Sequence, residues 1–234
     1  MALPKLNENP NYSTTVPSTG EKVTFRPYLV KEEKVLMIAF ETGDQNQALG
    51  AIVDTLKACI SEDIVLGELT TFDIEYLFTQ VRSKAVGEVA NVVLPCVACQ
   101  KKNEISVQLS DIEVQIPEKK NVIELTSSIS VEMKYPSYNE VMKMDLNSGN
   151  ETELGFSMLA GCISAIQTEE ERIDTKDVKK EEVMSFIEQM TTDQFKNVSD
   201  YLQDLPSLQK EVVFDCSCGE QNVRTLKGIN DFLS

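Results

Sequence analysis

Two closely spaced cysteine pairs are the residues of this chain most suited to chemistry. The first is Cys96-Val-Ala-Cys99 and the second is Cys216-Ser-Cys218-Gly219. Thiolates in short paired spacing are typical ligands of a closed tetrahedral metal site, and zinc suits such soft ligands best. Four thiolates leave no coordination position for water or substrate, so the site stabilises a fold and does not catalyse. We therefore expect Cys96, Cys99, Cys216 and Cys218 to hold a structural zinc ion.

The second pair is one residue shorter than the usual CxxC knuckle, which leaves another interpretation open. A single residue between two cysteines can still present both sulfurs to one ion if a tight turn follows, and Gly219 can supply that turn. Otherwise the four cysteines are ordinary half-buried residues that bind no metal. Disulfides are disfavoured, because the sequence opens with no apolar segment that would direct it to an oxidising compartment.

The other two cysteines continue apolar stripes with helical spacing. Cys59 follows Leu56 in such a stripe, and Cys162 lies beside Ile163 and before Ile166. Spacing of three and four residues places such side chains on one face of a helix. Because free cysteine packs as a small hydrophobic residue, both are predicted to lie in the core.

Composition narrows the classes of function. The chain has 22 basic and 38 acidic residues, a formal net charge of −16, and no histidine. This charge disfavours binding to nucleic acid or to an anionic membrane and leaves protein partners. No apolar run reaches the roughly 18 residues of a membrane span. Histidine is the commonest general acid or base. The sequence has no phosphate-binding loop, no GxSxG motif and no paired carboxylates in a recognisable catalytic setting, so we predict that the protein is not an enzyme.

Each cysteine pair lies within a repeated local pattern that predicts a β-hairpin. An apolar run precedes each pair, at residues 92–94 and 212–214, and a polar stretch follows it. A Leu-x-x-Ile step then closes each unit, at residues 109–112 and 226–229. Two strand–knuckle–strand units of this kind could meet around one metal ion and tie the middle of the chain to its end.

The remaining elements predict an α+β fold, in which a helical N-terminal part and a second helical part flank the two zinc-ribbon-like cysteine-knuckle units. Helices are predicted over residues 31–41, 44–60, 71–83, 151–166, 179–190 and 194–205. Thr70-x-x-Asp73 marks the start of the third of these. The predicted segments are an extended N-terminal arm (1–22), a helical part (23–90), a first cysteine-knuckle and β part (91–135), a second helical part (136–205) and a second cysteine-knuckle hairpin (206–234).

Two arginines in the N-terminal half are candidates for ion pairs. Arg26 and Arg82 are expected to pair with Asp73, Glu75 or Glu88, within the fold or across an interface. The planar guanidinium group suits partly buried carboxylate pairs, which favours pairing within the fold.

Several sequence blocks are distinctive beyond their composition. They are NPNYSTT at residues 9–15, FRPYLVKEEKVL at 25–36, FDIEYLF at 72–78, RSKAVGE at 82–88, and CSCG at 216–219 followed by LKGINDF at 226–232. Together they resemble the baseplate hub proteins of T4-like contractile-tailed bacteriophages, in particular the small hub subunit or hub assembly protein. The resemblance extends over most of the chain.

The resemblance implies a structural or assembly role in the baseplate hub, through contacts with other baseplate, hub and tail proteins. It implies synthesis in the host cytoplasm and a place in the virion tail baseplate, with several copies per particle if the hub has axial symmetry. Two alternatives stay open. One is a transient assembly chaperone that is absent from the mature virion, and the other is a zinc-ribbon nucleic-acid-binding protein, which the net charge disfavours.

Overall fold

The computed structural model describes residues 10–118, 120–144, 150–203 and 205–233, and it confirms the predicted mixed α+β class. The helices are α1 (Val30–Glu41), α2 (Gln45–Cys59), α3 (Thr71–Ala85), α4 (Tyr138–Met142), α5 (Glu151–Cys162), α6 (Lys180–Glu188), α7 (Thr192–Gln203) and α8 (Asn230–Leu233). The strands are β1 (Tyr12–Thr15), β2 (Lys22–Phe25), β3 (Val89–Pro95), β4 (Lys102–Gln108), β5 (Glu113–Gln115), β6 (Val122–Glu124), β7 (Ile129–Met133), β8 (Ile163–Thr168), β9 (Arg172–Asp174), β10 (Ser207–Asp215) and β11 (Gln221–Lys227). In the described part of the chain, every helix is too short or too polar to cross a membrane.

The chain divides into two compact units. Unit 1 contains the described residues of Met1–Leu66, Phe72–Gln115 and Ser207–Ser234, and unit 2 contains those of Gly67–Thr71 and Ile116–Pro206. The chain therefore enters unit 2 twice, first at Gly67–Thr71 and again after β5, and it returns to unit 1 at β10. Of the predicted segments, residues 1–9 of the N-terminal arm and residues 119, 145–149, 204 and 234 lie outside the described residues.

The start of unit 1 is a hairpin anchored to a helix. β1 and β2 pair antiparallel, and Val16 and Val23 beside the turn are fully buried. In the same turn, Ser18 donates two hydrogen bonds to the carboxylate of Asp73 on α3, from its N–H at 2.9 Å and from its hydroxyl at 2.6 Å. Asp73 is itself fully buried. The N-terminal hairpin is thus tied to α3 by a buried carboxyl group that accepts both hydrogen bonds.

The first helix begins at an ion pair that the sequence analysis did not name. Glu32 accepts hydrogen bonds from the N–H of Leu29 at 2.9 Å and from Nη2 of Arg26 at 2.8 Å. Although burial raises the pKa of Glu32, the hydrogen bonds from Arg26 and Leu29 hold it below its ordinary value. Arg26 therefore pairs with a carboxylate at the start of the next helix. An acidic side chain here also favours the helix, since it lies near the positive end of the helix dipole.

Unit 2 is built on a four-stranded antiparallel sheet in the order β6-β7-β8-β9. Its core joins buried residues of the sheet to buried residues of α5, α6 and α7. The core residues are Val131, Met133, Leu159, Ala160, Cys162, Ile163, Val183, Ile187, Val198 and Tyr201.

The helix predicted over residues 151–166 is shorter in the structure, where α5 ends at Cys162. The chain turns extended at Ile163 and forms β8, in which Ile163 pairs with Met133 and Ile166 with Val131. Burial along β8 alternates at its start, as expected for a strand. Isoleucine is β-branched and favours a strand, and a sheet partner on β7 decides between the two structures.

Glu75 on α3 gives a prediction about the pH dependence of stability. Burial raises the pKa of the Glu75 carboxyl group to about 7. A hydrogen bond from the N–H of Ile229 lowers this pKa, but its effect is smaller than that of burial. A folded pKa above the unfolded one means that folding takes up a proton, so stability contributed by this group falls as pH rises from about 4.5 to about 7. At about pH 8, the free energy of unfolding of Glu75→Gln should therefore exceed that of the wild type by roughly 1–3 kcal/mol, as measured by urea denaturation. At about pH 4.5 the two proteins should be equally stable.

The control for this prediction is Glu211→Gln on the exposed side of β10. It should follow the wild type at both pH values. A Glu75→Gln variant with the same pH dependence as the wild type would contradict the assignment.

Candidate metal centre

Both cysteine pairs lie in the loops of antiparallel hairpins. In one hairpin β3 pairs with β4, and the last pair before the loop is Pro95 with Lys102. In the other β10 pairs with β11, and the last pair is Asp215 with Gln221. On its other edge β10 also pairs with β5, so the C-terminal hairpin joins a three-stranded sheet.

A shared apolar core holds the two hairpins in one unit. It contains inward residues of β3, β4, β10 and β11, together with residues that follow β4 and residues of α8. Its buried members are Ala90, Val92, Val107, Leu109, Ile112, Leu208, Val212, Leu226 and Phe232. Packing of the strands is thus what brings two loops together that lie far apart in the sequence.

Each loop forms a tight turn around its first cysteine. The carbonyl of Cys96 accepts a hydrogen bond from the N–H of Gln100 at 3.0 Å, and the carbonyl of Cys216 accepts one from the N–H of Gly219 at 2.9 Å. Both donors have left-handed backbones, with φ of 60° at Gln100 and 91° at Gly219. Gly219 therefore supplies the turn that the shorter second pair requires, whereas Gln100 adopts a conformation that glycine tolerates better.

The four sulfurs form one cluster. Their Sγ atoms all lie within 4.8 Å of one another, and the distances from Cys96 to Cys218 and from Cys99 to Cys216 are both 3.7 Å. A tetrahedral zinc site with Zn–S bonds of about 2.3 Å has sulfurs about 3.8 Å apart. A disulfide requires about 2.05 Å. The spacing of the cluster therefore fits the ligands of a tetrahedral ion better than it fits two disulfides.

Backbone N–H groups surround the cluster and favour thiolates. The N–H of Cys99 donates to Cys96 and lowers the pKa of that thiol to about 6. The N–H of Cys218 likewise lowers the pKa of Cys216. A backbone hydrogen bond lowers the pKa of Cys218. The sulfurs of Cys99 and Cys216 outweigh this effect and raise the pKa of Cys218 to about 12. Backbone hydrogen bonds thus favour the thiolate forms of Cys96 and Cys216, and a bound cation would offset the negative charge that raises the pKa of Cys218.

Asn222 on β11 connects the two loops and was not predicted from the sequence. Its side chain is almost completely buried, its Oδ1 accepts from the N–H of Val97 at 2.8 Å, and its Nδ2 lies 3.6 Å from Sγ of Cys96. A second link joins Nζ of Lys101 to Oγ of Ser217 at 2.7 Å. The available sequence signal was a polar residue at an inward-facing position of a strand.

Asn222→Ala is expected to weaken zinc binding without removing it. The amide orients the first loop and donates to a ligand sulfur, and loss of such partners typically reduces metal affinity about 10–100-fold. Competition with a chromophoric chelator measures this change. The matched control is Asn91→Ala on the exposed face of β3, which should keep the affinity of the wild type. Equal affinities for the two variants would reduce Asn222 to a packing residue.

The remaining two cysteines lie apart from the cluster. Cys59 and Cys162 are both buried among apolar side chains. Burial raises the pKa of Cys59 to about 11, so that thiol stays protonated and unreactive near neutral pH.

Two hairpins joined at a four-thiol cluster place this chain in the class of α+β proteins with a zinc-ribbon-like element. The family model described as T4 bacteriophage base plate protein matches residues 9–234, and the chain belongs to that family. Comparison with curated proteins and with solved structures gave no match.

Proposed function

We propose that the protein is a structural or assembly component of the baseplate hub of a contractile-tailed bacteriophage, that it acts through protein–protein contacts, and that it is not an enzyme. The observation that carries this proposal is the family match over residues 9–234. The hub is the finer assignment, and the sequence blocks at residues 25–36, 72–78 and 82–88 support it.

The surface of unit 1 supports a role in protein contacts. On α1 the side chains of Val30, Met37 and Ile38 are exposed by 79%, 58% and 54%. On the outer face of the C-terminal hairpin, Val213 and Val223 form an exposed cross-strand pair. Exposed apolar side chains grouped in this way are typical of interaction surfaces.

We propose further that Cys96, Cys99, Cys216 and Cys218 bind one structural zinc ion. Four sulfurs at tetrahedral spacing, with no histidine in the chain, make a soft donor set that suits zinc. In this role the ion joins the β3–β4 hairpin to the β10–β11 hairpin and leaves no position for a substrate.

The test of the hub assignment is quantitative mass spectrometry of purified hub intermediates and mature virions of a phage that carries an affinity-tagged copy of the chain. A hub component is expected in both, at a fixed ratio to other baseplate proteins. Presence in the intermediates alone would favour the alternative, a transient assembly chaperone. Absence from both would overturn the proposal.

A further inference from the structure

A groove in unit 2 is separate from the metal centre and has no role in the function proposed so far. It has a volume of about 460 Å³ and lies among α4, α5, β8, the turn after β9 and the start of α6. Buried apolar residues contribute to its lining: Met144, Ala160, Ile163 and Val183. This volume is within the usual range of small-molecule pockets in proteins, about 300–1,000 Å³.

Lysines surround this apolar lining. Lys134 follows β7, Lys143 follows α4, Lys176 lies in the turn after β9 and Lys180 begins α6. Four lysines from four segments converge on one groove of a chain whose formal net charge is −16. The groove therefore differs in charge from the protein as a whole.

The two carboxylates in the lining are already engaged. Glu140 pairs with Lys134 and caps α4 through Ser137, and Asp174 pairs with Arg172. Although burial raises the pKa of Glu140, the hydrogen bond from Lys134 holds it below its ordinary value, so this carboxylate stays ionised and paired.

The other three lysines have no acidic partner among the residues that the structure describes. The ion pairs of this part of the chain do not include Lys143, Lys176 or Lys180, although Nζ of Lys180 lies 3.5 Å from Oγ of Ser157. All three are exposed at the rim of the groove. Their ammonium groups are available to carboxylates brought by another molecule.

We propose that this groove docks an acidic segment of a partner protein, with one apolar side chain on the groove lining and carboxylates against Lys143, Lys176 and Lys180. The inference rests on the proposed role in protein contacts and adds the chemistry of the partner. Lysines on separate segments match several carboxylates along a peptide, and the apolar lining accepts an anchoring side chain.

The net charge of the chain makes such a groove selective. A protein of charge −16 repels an acidic partner over most of its surface, so that the lysine rim directs the partner to one place. Like-charge repulsion elsewhere disfavours incorrect orientations of the same partner.

The test is carbodiimide cross-linking of hub intermediates that contain the full chain, because this reagent joins a lysine amine directly to a carboxylate in contact with it. Peptide mapping is expected to find Lys143, Lys176 or Lys180 joined to Asp or Glu of a different baseplate protein. The triple variant Lys143→Gln, Lys176→Gln, Lys180→Gln should reduce recovery of the chain with the intermediates at least about tenfold, as expected for loss of several charge contacts.

The matched control replaces three exposed lysines of unit 1, Lys22, Lys57 and Lys102, with Gln, and it should be recovered like the wild type. Both triple variants should keep the melting temperature and zinc content of the wild type. If the chain enters the intermediates but these cross-links are absent or join only copies of itself, or if the groove variant is recovered normally, the inference is wrong and the hub assignment stands. Absence of the wild-type chain from the intermediates would overturn both.

Discussion

Cys96→Ser and Cys216→Ser are expected to abolish zinc binding, whereas Cys59→Ser and Cys162→Ser are expected to retain about one zinc ion per chain. The first two changes remove a sulfur from the cluster of four, and a closed tetrahedral site has no spare ligand to replace it. The other two change buried thiols outside the cluster. Elemental analysis of protein purified without added metal measures the difference.

The stability of the same variants gives an independent measurement. Because metal binding free energy becomes folding free energy, a strong chelator should lower the melting temperature of the wild type and of the Cys59 and Cys162 variants. For a loss of about 3–5 kcal/mol, the fall is roughly 6–20 °C in a chain of this size. Cys96→Ser should already have a lower melting temperature than the wild type, and the chelator should not lower it further.

Melting temperature alone would mislead in this experiment. A serine at Cys59 or Cys162 places a hydroxyl group in the core and destabilises the fold for reasons unrelated to metal. The response to the chelator separates the two causes. Equal zinc content in all four variants, or none in the wild type, would contradict the metal centre and leave two hairpins held by apolar packing.

Asp73→Ala is expected to lower the free energy of unfolding by about 3 kcal/mol, because it removes a buried carboxylate that accepts two hydrogen bonds from Ser18. The corresponding fall in melting temperature is about 6–12 °C. Urea denaturation followed by circular dichroism measures the effect. The matched control is Asp54→Ala on α2, whose side chain is 73% exposed and whose pair with Lys57 should contribute less than about 1 kcal/mol.

The partner of Asp73 can be tested by a double-mutant cycle. Ser18→Ala removes the hydroxyl donor but keeps the backbone N–H, so its own effect should be smaller. If the bond joins the hairpin to α3 as described, the two substitutions should be non-additive by about 1 kcal/mol or more. Strict additivity would show that Asp73 stabilises the protein by other contacts.

Local patterns in the sequence were sufficient to predict most elements and the cysteine pairs. Apolar spacing gave the positions of α1, α2 and α3, and the Thr70-x-x-Asp73 signal marks a helix that begins at Thr71. The cysteines were recognisable because their spacing is local within each loop. The approach of the two loops to each other followed only from the assumption of a shared ion, and the structure brings the sulfurs together.

Contacts between distant residues were beyond prediction from local patterns. Asp73 carries a helix-start signal, but its bond to Ser18 spans 55 residues. Asn222 reaches Val97 across 125 residues, and no local rule marks an inward-facing asparagine as a partner of a cysteine loop. The end of α5 was missed for a similar reason, since Ile163 becomes a strand residue only because β7 is available beside it.

The route of the chain through its two units has a consequence for synthesis on the ribosome. Most of unit 2 is contiguous, from Ile116 to Pro206, and can begin to fold as it emerges. Unit 1 is completed later, because β10 and β11, with Cys216 and Cys218, are translated after unit 2. A nascent or prematurely terminated chain therefore carries Cys96 and Cys99 without their partners. Closure of the thiol cluster would then be confined to chains that have been translated beyond Cys218.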